Sequence, residues 1–471
     1  MPPTSSRDPA RELYRSTIAE PYRVKVVEKL TLPDRGERER ILARAHYSPV
    51  YLPSPDVYVD MITDSGTAAM SDAQWAALMR GDEAYMGSRS YSAFEAAVRE
   101  VTGYAEVVPT HQGRAAENIL LELLVQPGDI VLSNTHFDTT RAHVQARGAT
   151  PVDTIGEWLW NFREPLPFKG NFDVQLVERA LQTHGSKVRL IIGTVLNNFA
   201  CSSPVSLENL KRVRTLAAQH GAKLFLDAAR FAENAYFIQQ REPGYSNRSI
   251  ADIVREMFSL ADGCWVSAKK DAMVNIGGFI ATNDAALADR CRERLVLYEG
   301  FPTYGGLARR DLEAIAVGLR EAVDPDYLAH RIASVAYLGD GMRRAGALVS
   351  LPVGGSGVFV DVEAMYPQLP AERLPGIALC ADFYLEGGIR VGAAPFAMHT
   401  VDPDSGAIRD RVFQFARFAV PRRVLSKAQL DYVIEITRRV VTVAKQSRGY
   451  RTVHQPEVLG HFFARFAPVE T

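Results

Sequence analysis

The chain has 471 residues, of which 47% are apolar and 23% charged, the usual balance of a globular protein with a large core. Its formal net charge of −1 leaves no basic surplus for nucleic acid and no acidic tail. The four cysteines lie far apart, without a CxxC or Cys/His pattern, which argues against a disulfide framework or a structural zinc site.

Residues 1–60 are expected to form an irregular arm that settles on another surface, because prolines recur throughout them. The start, MPPTSSRDPARELYRS, is polar and rich in proline, unlike a signal peptide. No apolar run approaches the length of about 18 residues that a transmembrane helix needs. We therefore expect a cytoplasmic protein with neither a membrane nor a nucleic-acid partner.

The middle of the chain alternates between strand and helix patterns. Ser206 can cap a helix that Gly221 can end. The run LLELLV (120–125) has helical spacing, and the runs typical of buried strands are DIVLSN (129–134), VRLIIGTVL (188–196), KLFLD (223–227) and GCWVS (263–267). This alternation predicts right-handed βαβ units and a mostly parallel sheet covered by helices on both faces.

The last third differs in pattern. VGGSGVFVDV (353–362) and IRDRVFQFARFAVPRRV (408–424) are typical of strands, and KAQLDYVIEITRRVVTVAKQ (427–446) of a long amphipathic helix. We therefore expect an α/β chain in three parts: an N-terminal arm with part of a small domain (1–60), a large domain (61–325) and a smaller α+β domain (326–471).

Chemically active groups follow three strand ends. Asp227 closes KLFLD and is followed by Arg230, and Lys270 comes just after GCWVS. The stretch HQGR (111–114) precedes an amphipathic run, and its Gly113 at a helix N-terminus suits a phosphate. Ligands of such sheets bind beyond the carboxyl ends of the strands, so we expect one site here.

A buried lysine, a buried carboxylate and an anion site together indicate pyridoxal phosphate. Lys270 would form the Schiff base, with a pKa lowered by burial and by a cationic neighbour. Asp227 would keep the pyridine nitrogen protonated, so that the ring accepts electrons. In an extended chain Lys269 points away from Lys270 and can reach the phosphate, with Ser267 on its own side.

Each feature also has a simpler explanation. An aspartate at a strand end is often only a helix cap, adjacent lysines usually form a solvated turn, and a glycine before a helix is common. The occurrence of all three in this order favours the cofactor site.

The chain resembles the tryptophanase and tyrosine phenol-lyase family over nearly its full length. The stretches that carry the resemblance are VYVDMITDSGTAAMSDAQWAALMRGDEAYMGS (57–88), PTHQGRAAEN (109–118), NTHFDTTR (134–141), FKGNFD (168–173), DAARFAENAYFI (227–238), SAKKDAMVNIGGF (267–279), YEGFPTYGGL (298–307), PRRV (421–424) and EVLGHFFARF (457–466). The resemblance implies pyridoxal phosphate fold type I, like that of aspartate aminotransferase, and a β-elimination reaction.

The resemblance also implies residue roles. Lys270 matches the Schiff-base lysine, Asp227 the partner of the pyridine nitrogen and Arg230 the residue at the phenolic oxygen of the cofactor. The other cofactor contacts implied are the stacking Phe137, Asn198 and the phosphate-binding Gln112, Gly113, Arg114, Ser267 and Lys269. The substrate carboxylate would be bound by Thr63, Ser65 and Arg417, with Arg390 the rival that the sequence alone leaves open.

Subunit contacts and a cation belong to the same implied set. Tyr85 matches a general acid that a neighbouring subunit supplies in this family, and the resemblance implies a homotetramer built from dimers. Gly66, Glu83 and Asn275 match a potassium site, where carbonyl and carboxylate oxygens suit a large monovalent cation.

Three positions favour tryptophanase over phenol-lyase. Phenol-lyases carry an arginine where Ala394 stands and a threonine where Asp138 stands. Tryptophanases carry an aspartate at the second position and a histidine in a C-terminal HF pair, which His461 and Phe462 reproduce. An Asp–His pair near the leaving group can interact with an indole N–H or tune proton transfer.

The chain also departs from the family. Cys201 and Ser202 replace glycines in ACSSPVS (200–206), which implies a changed loop. The segment 391–400 departs throughout, with the small residues Gly392, Ala393 and Ala394 where bulkier or acidic ones are usual, and Ala419 replaces a threonine, which implies a roomier leaving-group pocket. We expect β-elimination of L-tryptophan or a substituted tryptophan to indole or its derivative, pyruvate and ammonia. The alternatives are tyrosine or an S-substituted cysteine as the substrate, an aminotransferase, and a pyridoxal phosphate-binding regulator without lyase activity.

Overall fold

The computed structural model describes residues 18–402, 407–457 and 459–469, with the backbone alone for 394–398, 401 and 409–413. The first 17 residues of the expected arm lie outside the described residues. Within the described chain, no helix combines the length and the apolar composition needed to cross a membrane.

The described α-helices, in chain order, are α1 Arg35–Arg44, α2 Asp72–Arg80, α3 Arg89–Thr102, α4 Gly113–Leu124, α5 Asp138–Ala146, α6 Val174–His184, α7 Leu207–Gln219, α8 Phe231–Arg241, α9 Ile250–Ser259, α10 Ala285–Tyr298, α11 Arg309–Ala322, α12 Pro325–Arg344, α13 Val362–Met365, α14 Pro375–Gly387 and α15 Lys427–Val443. The strands are β1 Val59–Met61, β2 Glu106–Thr110, β3 Ile130–Ser133, β4 Thr150–Asp153, β5 Val188–Thr194, β6 Lys223–Asp227, β7 Gly263–Ser267, β8 Gly278–Thr282, β9 Gly357–Asp361, β10 Ile389–Val401, β11 Ile408–Ala419, β12 Tyr450–His454 and β13 Arg465–Pro468.

Eleven of the described strands form one sheet, in the order β2-β8-β7-β6-β5-β3-β4-β10-β11-β9, with β1 beside β10. The strands from β7 to β4 in this order are parallel neighbours, whereas β8, β11 and β9 are antiparallel to theirs. The chain goes from β3 to β4 on one side and then to β5 on the other side of β3. Such a reversal opens a crevice at the carboxyl ends of the strands, which is where ligands bind in α/β sheets.

The parallel strands are largely apolar because both of their faces are buried, although Arg189 of β5 is exposed. On β5, Ile191 packs into one apolar cluster with residues of α7, and Leu190 and Ile192 into another with residues of α4. Successive side chains of a strand point to opposite faces, so a strand between two helix layers needs this continuous pattern. A further apolar cluster joins β9, β10 and β11 to α12, α14 and α15.

The strands predicted in the middle of the chain are confirmed, and β6 and β7 have the predicted bounds. The Ser206 hydroxyl caps α7 by accepting from the Asn209 N–H at 3.1 Å. The prediction of an irregular arm is wrong for residues 35–44, which form α1. Its apolar residues pack against α14. Because α14 lies more than 300 residues later in the chain, a local pattern of prolines could not indicate this contact.

Helix α11 lies against the turn that carries Lys270. A Cβ atom on Gly318 would lie 1.9 Å from the backbone oxygen of Ala272 and 2.6 Å from Nε2 of Gln74. The first of these contacts is with backbone, which cannot rotate away. Gly318 therefore permits the close packing that supports the lysine-bearing turn.

We expect Gly318→Ala to lower the melting temperature of the apoprotein, because overpacking of a tight contact costs roughly 1–3 kcal/mol. The matched control is Gly36→Ala on α1, where the added Cβ would meet its nearest neighbour, Asp34 Oδ1, at an ordinary 3.5 Å. The control should melt at or slightly above the wild-type temperature, since alanine favours a helix. Equal melting of both variants in differential scanning fluorimetry would contradict the packing argument.

Candidate active site

A cavity opens in the crevice at the carboxyl ends of the parallel strands. Residues predicted for the site that line it are Ser65, Gln112, Gly113, Arg114, Phe137, Asp227, Arg230, Ser267, Lys269 and Lys270. The lining residues that were not predicted are Glu117, Thr139, Thr194, Val195, Asn197, Ala229 and Trp265.

Lys270 lies in a turn directly after β7. Its Nζ donates to the Ser267 hydroxyl at 3.0 Å, and its backbone N–H donates to the Ser267 carbonyl at 3.3 Å. The extended chain expected at Lys269 and Lys270 is therefore wrong, and the turn brings Ser267 to Lys270. Burial and the nearby Arg230 lower the pKa of Lys270 to about 8, which favours the neutral, nucleophilic amine.

Asp227 closes β6 in the same cavity. Burial raises the pKa of its carboxyl group to about 6, although Lys270 and Arg230 oppose the shift. A raised pKa means that the ionised carboxylate is short of compensating positive charge. The N–H of a protonated pyridine ring would supply that charge, so Asp227 fits the predicted role.

The predicted phosphate site is a tightly packed helix N-terminus. A Cβ on Gly113, the first residue of α4, would lie 2.6 Å from Cβ of Ser267, and one on Gly278 would lie 2.8 Å from the Gly113 nitrogen. Burial and the charge of Arg114 lower the pKa of Lys269, which places two cations near each other. Cations beside free helix N–H groups fit an anion such as the cofactor phosphate.

Asp64, which was not predicted, accepts hydrogen bonds from three arginines. Arg230 donates through Nε (2.9 Å) and Nη2 (2.8 Å), Arg417 through Nη2 (2.5 Å) and Arg422 through Nη1 (3.0 Å). Burial alone would raise the pKa of Asp64, but the three guanidinium groups hold it well below its usual range. The Asp64 carboxylate is therefore ionised and central to the site.

The two arginines proposed for the substrate carboxylate differ in their partners. Arg390 holds Asp60 through Nε at 3.0 Å and through Nη2, and its Nη1 donates to a backbone oxygen. The buried Nε of Arg417 has no hydrogen-bond partner among the described residues. This spare donor favours Arg417 as the carboxylate-binding residue.

The TDSG stretch (63–66) borders the cavity and the predicted cation site. The Ser65 N–H donates to Thr63 Oγ1 at 3.0 Å, which keeps these two residues together. The Gly66 carbonyl accepts from Asn275 Nδ2 at 3.2 Å. Gly66 and Asn275 thus meet, whereas Glu83 is exposed and pairs with Arg310 at 3.7 Å.

The residues predicted for the leaving group also come together. Nε2 of His461 lies 3.3 Å from Oδ2 of Asp138, the first residue of α5. The ring of Phe462 has its centroid 4.2 Å from that of His461. Phe137, the residue before Asp138, lines the cavity and stacks on Phe199 at a centroid distance of 5.8 Å.

Tyr85 does not line the cavity. Its side chain is 56% exposed, and its hydroxyl is 3.4 Å from that of Tyr304. The hydrogen bond with Tyr304 raises the pKa of Tyr85. An exposed acid of this kind can serve a site that another subunit completes, which is the role implied by the sequence.

The loop after β5 contains Asn198 and the two residues that replace glycines, Cys201 and Ser202. Asn197 lines the cavity, whereas Asn198 is buried with an Oδ1 that has no partner among the described residues. Cys201 and Ser202 have φ angles of +53° and +51°, the left-handed conformation that favours glycine. The loop therefore retains a glycine-type backbone although both glycines are replaced.

The predicted roomier pocket lies mostly outside the described side chains. Ala394 is on β10, paired with Phe415 of β11, but only its backbone is described. Ala419 ends β11 opposite Gly357 and is buried. The enlarged pocket remains a prediction.

Glu117 is a further lining residue that the sequence analysis missed. It lies one turn into α4 and accepts from the hydroxyls of Thr139 (2.6 Å) and Thr140 (2.9 Å) in the first turn of α5. Burial and the charge of Asp227 raise the pKa of Glu117 to about 8. Its place in the apolar helical run AAENILLELL, on the buried face, was the available signal.

Comparisons with known proteins identify the family and the fold of the chain. The family described as Beta-eliminating lyase matches residues 60–436. A tryptophanase of Salinibacter ruber is 47% identical over 452 residues, which are 96% of each chain, and a tyrosine phenol-lyase of Pasteurella multocida is 44% identical over 455 residues, 96% of this chain and 99% of that one. A serine palmitoyltransferase of Sphingomonas wittichii shares the fold with a TM-score of 0.56 at 16% identity, covering 87% of this chain and 96% of that one.

The raised pKa of Glu117 predicts a pH-dependent stability. A carboxyl group whose pKa is higher in the folded than in the unfolded chain loses its contribution to stability as pH rises from about 4.5 to about 8. Glu117→Gln keeps a neutral group that can hold both threonines. We expect the melting temperature of this apoprotein variant to gain on the wild type between about pH 4.5 and about pH 8 and to level off above, with a free-energy change on the order of a few kcal/mol.

The matched control is Glu122→Gln on the same helix, where the carboxylate pairs with Arg294 at the surface. Its difference from the wild type should stay flat over the same pH range. A flat difference for Glu117→Gln as well would refute the assignment of a neutral Glu117.

Proposed function

The chain belongs to the β-eliminating lyase family, and from this we propose that it removes indole, or a substituted indole, from L-tryptophan or a substituted tryptophan, with release of pyruvate and ammonia. The coarser activity, a pyridoxal phosphate-dependent β-eliminating lyase of fold type I, follows from the family and its relatives. The observation that carries the finer proposal is the contact of Asp138 with His461 at the border of the cofactor cavity.

Lys270, Asp227 and Arg417 have separate proposed roles in the reaction at the α-carbon. Bound pyridoxal phosphate supplies an electron sink for the negative charge that develops on that carbon. We assign to Lys270 the covalent attachment of the cofactor and removal of the α-proton, because its pKa lies near neutrality. Asp227 keeps the ring nitrogen protonated, and the spare Nε of Arg417 helps to bind the substrate carboxylate beside Thr63 and Ser65.

The leaving group is assigned to a separate set of residues. Asp138 and His461 hold each other so that the pair can meet an indole N–H or pass a proton. Phe462, which contacts His461, and Phe137, which lines the cavity, add aromatic surface. We assign protonation of the leaving carbon to Tyr85 of a neighbouring subunit, because its own cavity does not include it.

The assembly, the cation and the domain boundaries belong to the same proposal. A homotetramer would bring Tyr85 and Glu83 to the site of another subunit, and Glu83 could there join Gly66 and Asn275 around a potassium ion. We also propose the division near residue 326, because α12 starts at Pro325 and a separate apolar cluster begins along it. Sedimentation of the holoenzyme tests the first of these points.

The test of function is pyruvate release by the holoenzyme in potassium buffer, assayed with L-tryptophan, a 5-substituted tryptophan, L-tyrosine and S-methyl-L-cysteine. We expect the tryptophans to be the best substrates and Lys270→Ala to be inactive on all four, since it lacks both the attachment point and the base. Faster release from tyrosine or S-methylcysteine would overturn the leaving-group assignment and leave the lyase class intact. If the enzyme with bound cofactor released no pyruvate from any of the four substrates, the proposed function itself would be overturned.

His461 should govern which leaving group is accepted. We expect His461→Phe to lower kcat/KM for tryptophan at least about tenfold, as expected for loss of a hydrogen bond to a charged or polarised group, and to leave S-methylcysteine turnover and pyridoxal phosphate affinity little changed. His454→Phe, on the exposed strand β12, is the matched control. Equal losses on every substrate would remove His461 from the specificity set.

A further inference from the structure

Asp64 connects the arginine on the cofactor side to the arginine on the substrate side. Its Oδ1 atom accepts from Nη2 of Arg230 at 2.8 Å and from Nη2 of Arg417 at 2.5 Å. Arg230 lines the cofactor cavity, and the buried Nε of Arg417 has no hydrogen-bond partner among the described residues. A single oxygen atom therefore connects the arginine predicted at the cofactor to the arginine predicted to bind the substrate carboxylate.

The Asp64 carboxylate has no spare acceptor position. Its Oδ2 accepts from Nε of Arg230 at 2.9 Å and from Nη1 of Arg422 at 3.0 Å. An ionised carboxylate has about four lone-pair sites, and four guanidinium N–H groups already use them. A substrate carboxylate bound at the spare Nε of Arg417 would share that guanidinium group with Asp64. The second negative charge weakens the attraction between Arg417 and Asp64, so that the bridging oxygen is held more by Arg230.

Arg230 and Arg417 depend on Asp64 for charge compensation more than Arg422 does. Arg422 has two further anionic partners, Asp271 at 3.0 Å and Glu233 at 2.8 Å. Among the described residues, Asp64 is the only carboxylate that pairs with Arg230, and it is also the only one that pairs with Arg417. Other charged groups near this cluster, among the described residues, include Lys270, Lys269, Asp227 and Arg331.

We propose that Asp64 is a positioning residue that transmits occupancy of the carboxylate site at Arg417 to the cofactor side through Arg230. The inference rests on the proposed function, because it assigns the substrate carboxylate to Arg417. When a carboxylate binds Arg417, Oδ1 of Asp64 is held more by Arg230, and the positive charge that Arg230 presents to the cavity falls. A cationic group on the cofactor side then becomes easier to keep protonated.

The test is a pH titration of the absorbance of bound pyridoxal phosphate in the holoenzyme, with and without saturating 3-phenylpropionate. This probe has the carboxylate and an aromatic ring but no amino group, so it cannot react. In the wild type we expect the probe to raise the titration midpoint by about one pH unit. In Asp64→Asn the midpoint should start lower, and the effect of the probe should fall to less than half.

The matched control is Asp60→Asn, which removes the partner of Arg390 outside the cavity and should leave the effect of the probe at its wild-type size. A full wild-type effect in Asp64→Asn, or no effect in the wild type at saturation, would overturn the inference. If Asp64→Asn does not retain the cofactor, Asp64→Glu decides: it keeps the charge but moves the bridging oxygen, so a reduced effect supports the inference and a full one overturns it. The titration needs no turnover, so its failure in an enzyme that cleaves tryptophan would leave the proposed function intact.

Discussion

The carboxylate of Asp64 is the constraint on which the site depends, because three arginines from separate parts of the chain converge on it. Arg230 precedes α8 and lines the cavity at the carboxyl ends of the parallel strands, whereas Arg417 lies on β11 and Arg422 just beyond it. Removal of one partner from a buried ion pair costs about 3–5 kcal/mol, since it leaves a buried charge uncompensated. The cluster therefore holds β11 against the carboxyl ends of the parallel strands. Its position sets where cofactor chemistry and carboxylate recognition meet.

Local pattern was enough to predict the elements that build the crevice, but not the contacts across it. KLFLD and GCWVS are continuous apolar runs that only a doubly covered sheet explains, and their carboxyl ends place Asp227 and Lys270 in one site. Asp64 and Arg417, in contrast, are 353 positions apart, and nothing in either local sequence identifies the other. The turn at Lys270 was missed for a related reason, because its geometry depends on the packing of Gly318 against Ala272.

The loop after β5 illustrates how tertiary contacts sustain an unfavourable backbone. A non-glycine residue in the left-handed conformation costs roughly 1–2 kcal/mol, and Cys201 and Ser202 are consecutive examples. Such strain persists only where the surroundings leave no alternative. The Ser202 carbonyl accepts from the Gly355 N–H at 3.1 Å, and its hydroxyl meets that of Ser356. These contacts attach the loop to the segment before β9, whose Ser356 carbonyl accepts from the buried Arg331.

The site draws its two functions from different parts of the chain, and this separation explains why overall similarity does not identify the substrate. Lys270 and Asp227 belong to the parallel sheet, whereas His461 comes from the C-terminal segment and reaches Asp138 at the start of α5. In the proposed mechanism, proton removal at the α-carbon depends on the first set and departure of the side chain on the second, so the second set could change without disturbing the first. The tryptophanase at 47% identity and the tyrosine phenol-lyase at 44% are nearly equidistant from this chain. The distinction therefore rests on individual contacts, and the 3.3 Å contact of His461 with Asp138 is the one that an indole leaving group would use.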